Sequence, residues 1–151
     1  MYPICLCLLL LSFTVSAFAE TLPDINTALM RATFKLVGKG SNGNDLAGTA
    51  FILGKPTPSN PQEFYYVMVT AAHVLNQMTS EEAVLFLRNK EGKTYTKVPY
   101  VIKIREGSKP LWTTHPSADI AVMYLSLPKA ADIVIISTDL IATDDRLKEL
   151  E

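Results

Sequence analysis

Two short runs carry residues whose types and order could do chemistry. In the first, Val69-Thr70-Ala71-Ala72-His73, an apolar strand feeds two small residues and then a histidine. In the second, His115-Pro116-Ser117-Ala118-Asp119-Ile120-Ala121-Val122-Met123, an acid stands at the mouth of another apolar strand. A histidine can take the proton from a hydroxyl nucleophile. A carboxylate can hold that ring in the productive tautomer and stabilise its cation. His73 fits the base, because it stands where a rigid strand ends and Ala71 and Ala72 let the backbone pack closely beneath it. Asp119 fits the orienting acid, because a carboxylate drawn into an apolar layer is costly unless it is paired. The plainer alternatives are a helix-cap or partly buried structural histidine at 73 and a turn aspartate opening a strand at 119.

Other sites are weaker. His115, between Thr114 and Pro116, reads as an exposed loop residue. Two histidines far apart, with no His-Glu-x-x-His, leave no closed metal-ligand set, so neither a metal nor a cofactor is expected. Gly48-Thr49-Ala50-Phe51 places small residues inside a strand, which signals a bulge or bend, a close backbone approach near His73, or both.

The elements that must position these residues are short and mostly β. Alternation and β-branched or aromatic content predict strands over 32–38, 46–53, 64–70, 83–87, 94–98, 100–104, 120–125 and 133–136. Residues 71–77 can form one helical turn. Asn89-Lys90-Glu91-Gly92 marks a hairpin longer than two residues. Thr143 reads as the cap of a helix reaching Leu150, with acids in its first turn. This spacing argues for a small antiparallel barrel or sandwich.

The start of the chain reads as an address. Of its 151 residues, 1–19 have the pattern of a signal peptide. Ile4–Val15 is an apolar run too short to span a bilayer, and Ala17-Phe18-Ala19 fits the small-x-small cleavage rule. The alternative is a buried N-terminal strand. Cleavage before Glu20 removes both cysteines, Cys5 and Cys7, and with them any thiolate nucleophile. The expected localisation is secreted or periplasmic, with no membrane association after signal removal. The formal net charge is −1, with acids and bases mixed. No basic stripe is present, so nucleic acid is not an expected partner.

Three pieces together resemble the trypsin-like, two-barrel serine peptidases, particularly secreted bacterial members without disulfides. Gly48-Thr49-Ala50-Phe51-Ile52-Leu53 is similar to the strand before the catalytic histidine. Val69-Thr70-Ala71-Ala72-His73-Val74 is similar to the histidine motif, and Ala118-Asp119-Ile120-Ala121-Val122 to the aspartate motif. The order also fits, since in that family the serine comes last. The resemblance spans 32–151. It implies a mainly β fold: a single antiparallel β-barrel, the first of two, with short helical turns, after a signal peptide (1–19) and a leader or short helix (20–31). It implies His73 as general base and Asp119 as its orienter in a peptide-bond hydrolase, with a protein or peptide as substrate.

The family's nucleophile lies in a Gly-Asp-Ser-Gly loop of the second barrel. After Asp119 the only serines are Ser126 and Ser137, neither beside glycine, and the last glycine is Gly107. The expectation is therefore the N-terminal portion of a peptidase, inactive as it stands. The alternatives are a one-barrel binding protein and one half of a two-chain enzyme.

Overall fold

The computed structural model describes residues 24–60, 63–128, 131–143 and 148. The signal segment, and most of the helix expected after Thr143, lie outside them. Helix α1 (Ile25–Ala32) is followed by strands β1 (Thr33–Gly40), β2 (Asp45–Pro56) and β3 (Phe64–Thr70), then helix α2 (Ala72–Gln77). Strands β4 (Met78–Glu91), β5 (Thr94–Lys103), β6 (Arg105–Glu106), β7 (Lys109–Pro110), β8 (Thr113–Thr114), β9 (Ala121–Leu125) and β10 (Ile136–Ser137) complete the set. Asp24 caps α1, its carboxylate accepting the backbone N–H groups of Asn26 and Thr27 at 3.0 and 3.1 Å. No described helix is long and apolar enough to cross a membrane.

The chain is mainly β, built on one sheet in the order β5-β4-β1-β2-β3-β9-β8. All neighbours on that path are antiparallel. Short β10 lies off the path and pairs with β2 in parallel. No ladder joins β5 to β8 among the described residues, so a closed barrel is not formed by strand pairing. The β6–β7 hairpin links the two edges covalently, and the Leu111 N–H donates to the Ile104 carbonyl at 3.0 Å.

Alternation explains which face is inside. In β1, Phe34 and Leu36 are buried while Lys35 and Lys39 are exposed, the period-two pattern of a half-buried strand. Ile52, Met68, Leu85, Ile104 and Met123 continue that inner face, and Ala72 and Leu75 of α2 join the same cluster. The core is thus lined by the sheet, with α2 packed on it.

Several expectations need correction. β4 and β5 meet through Gly92-Lys93, a two-residue turn, because Glu91 pairs directly with Thr94. Gly92 has φ +63° and no described non-glycine residue has positive φ, the sign pattern of a type II′ turn. Gly107, at φ +60°, does the same between β6 and β7. β5 runs unbroken through Pro99, which an edge strand tolerates since one row of its backbone groups is unpaired. The strand expected over 133–136 is absent. Only Ile136 and Ser137 pair, beside Leu53 and Gly54, and Gly54 leaves the room that Ile135 fills.

Candidate functional site

His73 is the second residue of a six-residue helix, too short to persist on its own strength. Contacts distant in sequence hold both of its ends. At the C-terminal end, the Arg105 guanidinium donates to the carbonyls of Met78 at 3.1 Å and Leu75 at 3.5 Å. A cation there also complements the helix dipole. Arg105 is steadied in turn by the face of buried Trp112, 4.5 Å from the ring centroid. Beneath the helix runs β2. A Cβ added to Gly48 would come within 2.6 Å of Val74 Cγ1. The β1–β2 register runs through Gly48 without a shift, so of the readings open for this glycine the structure chooses close approach.

At the N-terminal end stands Asp119. One carboxylate oxygen accepts the His73 backbone N–H at 2.8 Å, and the other lies 2.5 Å from the His73 ring Nδ1. The Asp119 carbonyl also accepts the Ala72 N–H at 3.3 Å. The acid therefore caps the helix and orients the ring with one group. A carboxylate can only accept, so the neutral ring carries its proton on Nδ1 and leaves Nε2 with a free lone pair. The two residues expected from sequence to work together are brought together, across 46 positions of chain.

The exposure of the pair differs from expectation. Asp119 is not drawn into an apolar layer. The side chains of His73 and Asp119 are 60 and 55 % exposed. β9 begins at Ala121 rather than Ile120, and Asp119 ends a hairpin loop that lifts it to the rim of the sheet. The ring N–H of His73 is the main cause holding the Asp119 carboxyl below its ordinary 3.8, followed by the His73 backbone N–H. Slight burial opposes this, while the charge of a protonated His73 and the Ala72 N–H assist. Since the folded value is depressed, the pair's contribution to stability is complete above pH 3.8 and is lost as pH falls through the folded value.

Ser126 and Ser137 stand elsewhere. Thr70 and Ala121, paired beside the dyad, mark one end of β3 and β9, whereas Ser126 follows Leu125 at the other end. Ser137 pairs with Gly54, four residues along β2 from Ala50, the partner of Thr70. At about 3.3 Å per residue, these offsets put both serines roughly 13 Å or more away along the strands. Ser137 is engaged as a cap, its hydroxyl accepting the Asp139 N–H at 3.2 Å. Among the described residues no group of three or more His, Cys, Asp or Glu side chains could hold a metal ion.

Sequence reasoning assigned no role to Arg105 or to His115, which is exposed as expected but bonded to its own loop. The only signals were a cation next to the sole tryptophan's loop and a His-Pro dipeptide at a turn.

Comparison with known proteins adds no relative: no family model, curated protein or solved structure matches this chain.

Proposed function

We propose that this chain carries the histidine–aspartate half of a secreted, trypsin-like serine endopeptidase. The nucleophilic serine and its oxyanion-binding amides would come from polypeptide outside the described strands. The observation that carries the reading is the double grip of Asp119 on His73, through backbone N–H and ring Nδ1, with Nε2 left available at an exposed rim. In the complete enzyme His73 Nε2 takes the serine proton as the hydroxyl attacks a peptide carbonyl, then returns it to the leaving amine. Asp119 stays ionised and stabilises the imidazolium formed between those steps.

The surroundings support the same reading. Ile120, Val122 and Tyr124 run exposed from beside Asp119 along one face of β9, with Phe51 exposed on the same face of β2. Apolar surface of this kind is what an added domain would cover. The antiparallel sheet, the order of the motifs and Gly48 packed under Val74 support this reading, though the described strands form an open sheet and the barrel itself belongs to the proposal. The apolar run Ile4–Val15 supports export to a secreted or periplasmic location, and the substrate would be a protein or peptide.

The purified chain is expected to show no His73-dependent peptide hydrolysis and no fluorophosphonate labelling of Ser126 or Ser137. Joined or co-expressed with a segment bearing a glycine-flanked serine, encoded downstream at the same locus, it should hydrolyse peptides in a way that His73→Ala abolishes. Turnover by the chain alone that survives addition of a chelator and depends on His73 would overturn the reading. So would an assembled pair indifferent to His73→Ala. A stable monomer with no such segment at its locus would make the one-domain binding protein the better account.

A further inference from the structure

β8 and β9 form a hairpin. Thr114 pairs with Ala121, and one step further the His115 backbone N–H donates to the Ile120 carbonyl at 2.9 Å. This leaves a four-residue loop, Pro116 to Asp119. Within it the Ile120 N–H donates to the Ala118 carbonyl at 2.8 Å, a γ-turn centred on Asp119. Since φ is negative at every described non-glycine residue, it is the inverse form. The first half of the loop has no such backbone closure. It has the ring of His115, whose Nδ1 lies 2.9 Å from the Ala118 backbone N and 3.2 Å from that of Ser117. Both N–H groups donate, so Nδ1 must be the bare acceptor and the ring hydrogen sits on Nε2. The Ser117 hydroxyl stands 3.4 Å from the same atom.

We infer that His115 is a positioning residue for the dyad: its unprotonated Nδ1 gathers the Ser117 and Ala118 amides and so sets the turn that delivers the Asp119 carboxylate to His73. Its ring does what an asparagine or aspartate side chain does in an Asx turn. Pro116 restricts His115 to extended backbone, where the side chain can reach forward over the loop. The two histidines thus hold opposite tautomers, His115 as acceptor on Nδ1 and His73 as donor from Nδ1. The inference rests on Asp119 orienting His73, not on the identity of any nucleophile. An assembled protein that hydrolyses no peptide would therefore remove the proposed function and leave this inference standing.

Asparagine decides the matter, because its Oδ1 lies the same number of bonds from Cα as Nδ1 of histidine. The measurements are the Asp119 carboxyl titration, followed by side-chain carbon shifts, and the downfield His73 Nδ1 proton, both on the full chain. His115→Ala should raise the Asp119 midpoint toward its ordinary value, weaken or erase the downfield proton, and speed amide exchange at Ser117 and Ala118 tenfold or more. His115→Asn should restore all three. A merely structural role would lower thermal stability without moving the Asp119 midpoint. Wild-type midpoints in folded His115→Ala, or His115→Asn no better than alanine, would overturn the inference. If the alanine variant does not fold, wild-type nitrogen shifts decide alongside asparagine. A bare Nδ1 on His115 is required, and a protonated Nδ1 in the neutral ring contradicts it.

Discussion

If the proposed peptidase assembles, Asp119→Asn is expected to lower its kcat by about 10⁴-fold while leaving the fold intact. The reason lies in hydrogen-bond chemistry. One carboxylate oxygen now accepts the His73 backbone N–H, and the other faces ring Nδ1. Asparagine can keep the first contact with its oxygen, but it then presents an N–H donor to the ring. The ring must answer with a bare Nδ1 and move its hydrogen to Nε2, the atom that has to receive a proton. The base is then present, correctly placed and in the wrong tautomer. The same variant carries a second signature in the isolated chain. Because the Asp119 value is depressed on folding, part of the wild-type loss of stability in acid comes from protonating this carboxylate. Thermal unfolding followed below pH 3.8 should therefore fall less steeply in Asp119→Asn than in wild type. The contribution of Asp24, also depressed by its Thr27 contacts, remains in both proteins. An assembled variant within tenfold of wild type, or identical acid limbs, would contradict the role assigned to Asp119.

Gly48→Val should disable the dyad from underneath. The first added carbon falls 2.6 Å from Val74 Cγ1 and 2.9 Å from Cγ2, where ordinary carbon contacts need about 3.5–4.0 Å. Val74 directly follows His73, so relief by roughly 1 Å must come from α2. Hydrogen bonds of 2.5 and 2.8 Å to Asp119 do not survive a displacement of that size, since useful N–H···O distances end near about 3.2 Å. Overpacking of this kind costs about 1–3 kcal/mol. Denaturant titration should show that loss, and the His73 Nδ1 proton should vanish from the downfield region of a spectrum that is otherwise folded. Unchanged stability with the proton retained would mean that α2 is not seated by Gly48. Its cause is local, so Gly48→Ala should show the same change to a smaller degree.

What could be read in the sequence follows from how local each signal is. His73 was legible because apolar β3 ends at Thr70 and two alanines permit a close turn into α2. Asp119 was legible because it opens apolar β9. Their meeting was legible only through the two motifs together, since nothing local to either residue specifies a partner 46 positions away. The exposure of Asp119 was misread. A hydrophobic run after an acid marks where a strand begins, and the hairpin geometry that lifts the acid off the sheet leaves no trace in hydropathy. The Gly92-Lys93 turn was missed for a related reason. It depends on a positive φ at one glycine, while the polar residues Asn89 to Glu91 before it suggest a longer loop. Strands as short as β6, β7 and β8, two residues each, have no periodicity to detect. They nevertheless carry Trp112 and His115 into place. His115 is the clearest case: composition marks it as a loop residue, and only the positions of the Ser117 and Ala118 amides show what its ring accepts.

Arg31 and Asp132 illustrate the limits of motif reading from the other side. They form an ion pair that fastens α1 to the segment following β9. Asp132 is largely buried, and the Arg31 Nε and one Asp132 oxygen have no partner. The pair stands apart from the His73 site in sequence, and Asp119, not Asp132, is the acid that reaches the His73 ring.

The central claim is that His73 is a base held ready by Asp119, and the proton on its ring tests this most directly. Long-range nitrogen–proton correlation spectra of the intact chain, recorded at a pH where the ring is neutral, assign the tautomer of each histidine. The account predicts that His73 carries its hydrogen on Nδ1, with a downfield proton signal lost in Asp119→Asn, and shows the nitrogen shift of a bare Nε2. A His73 ring with its hydrogen on Nε2, or one averaging freely between both tautomers, would mean that Asp119 does not orient it, and the peptidase reading would lose the observation on which it stands.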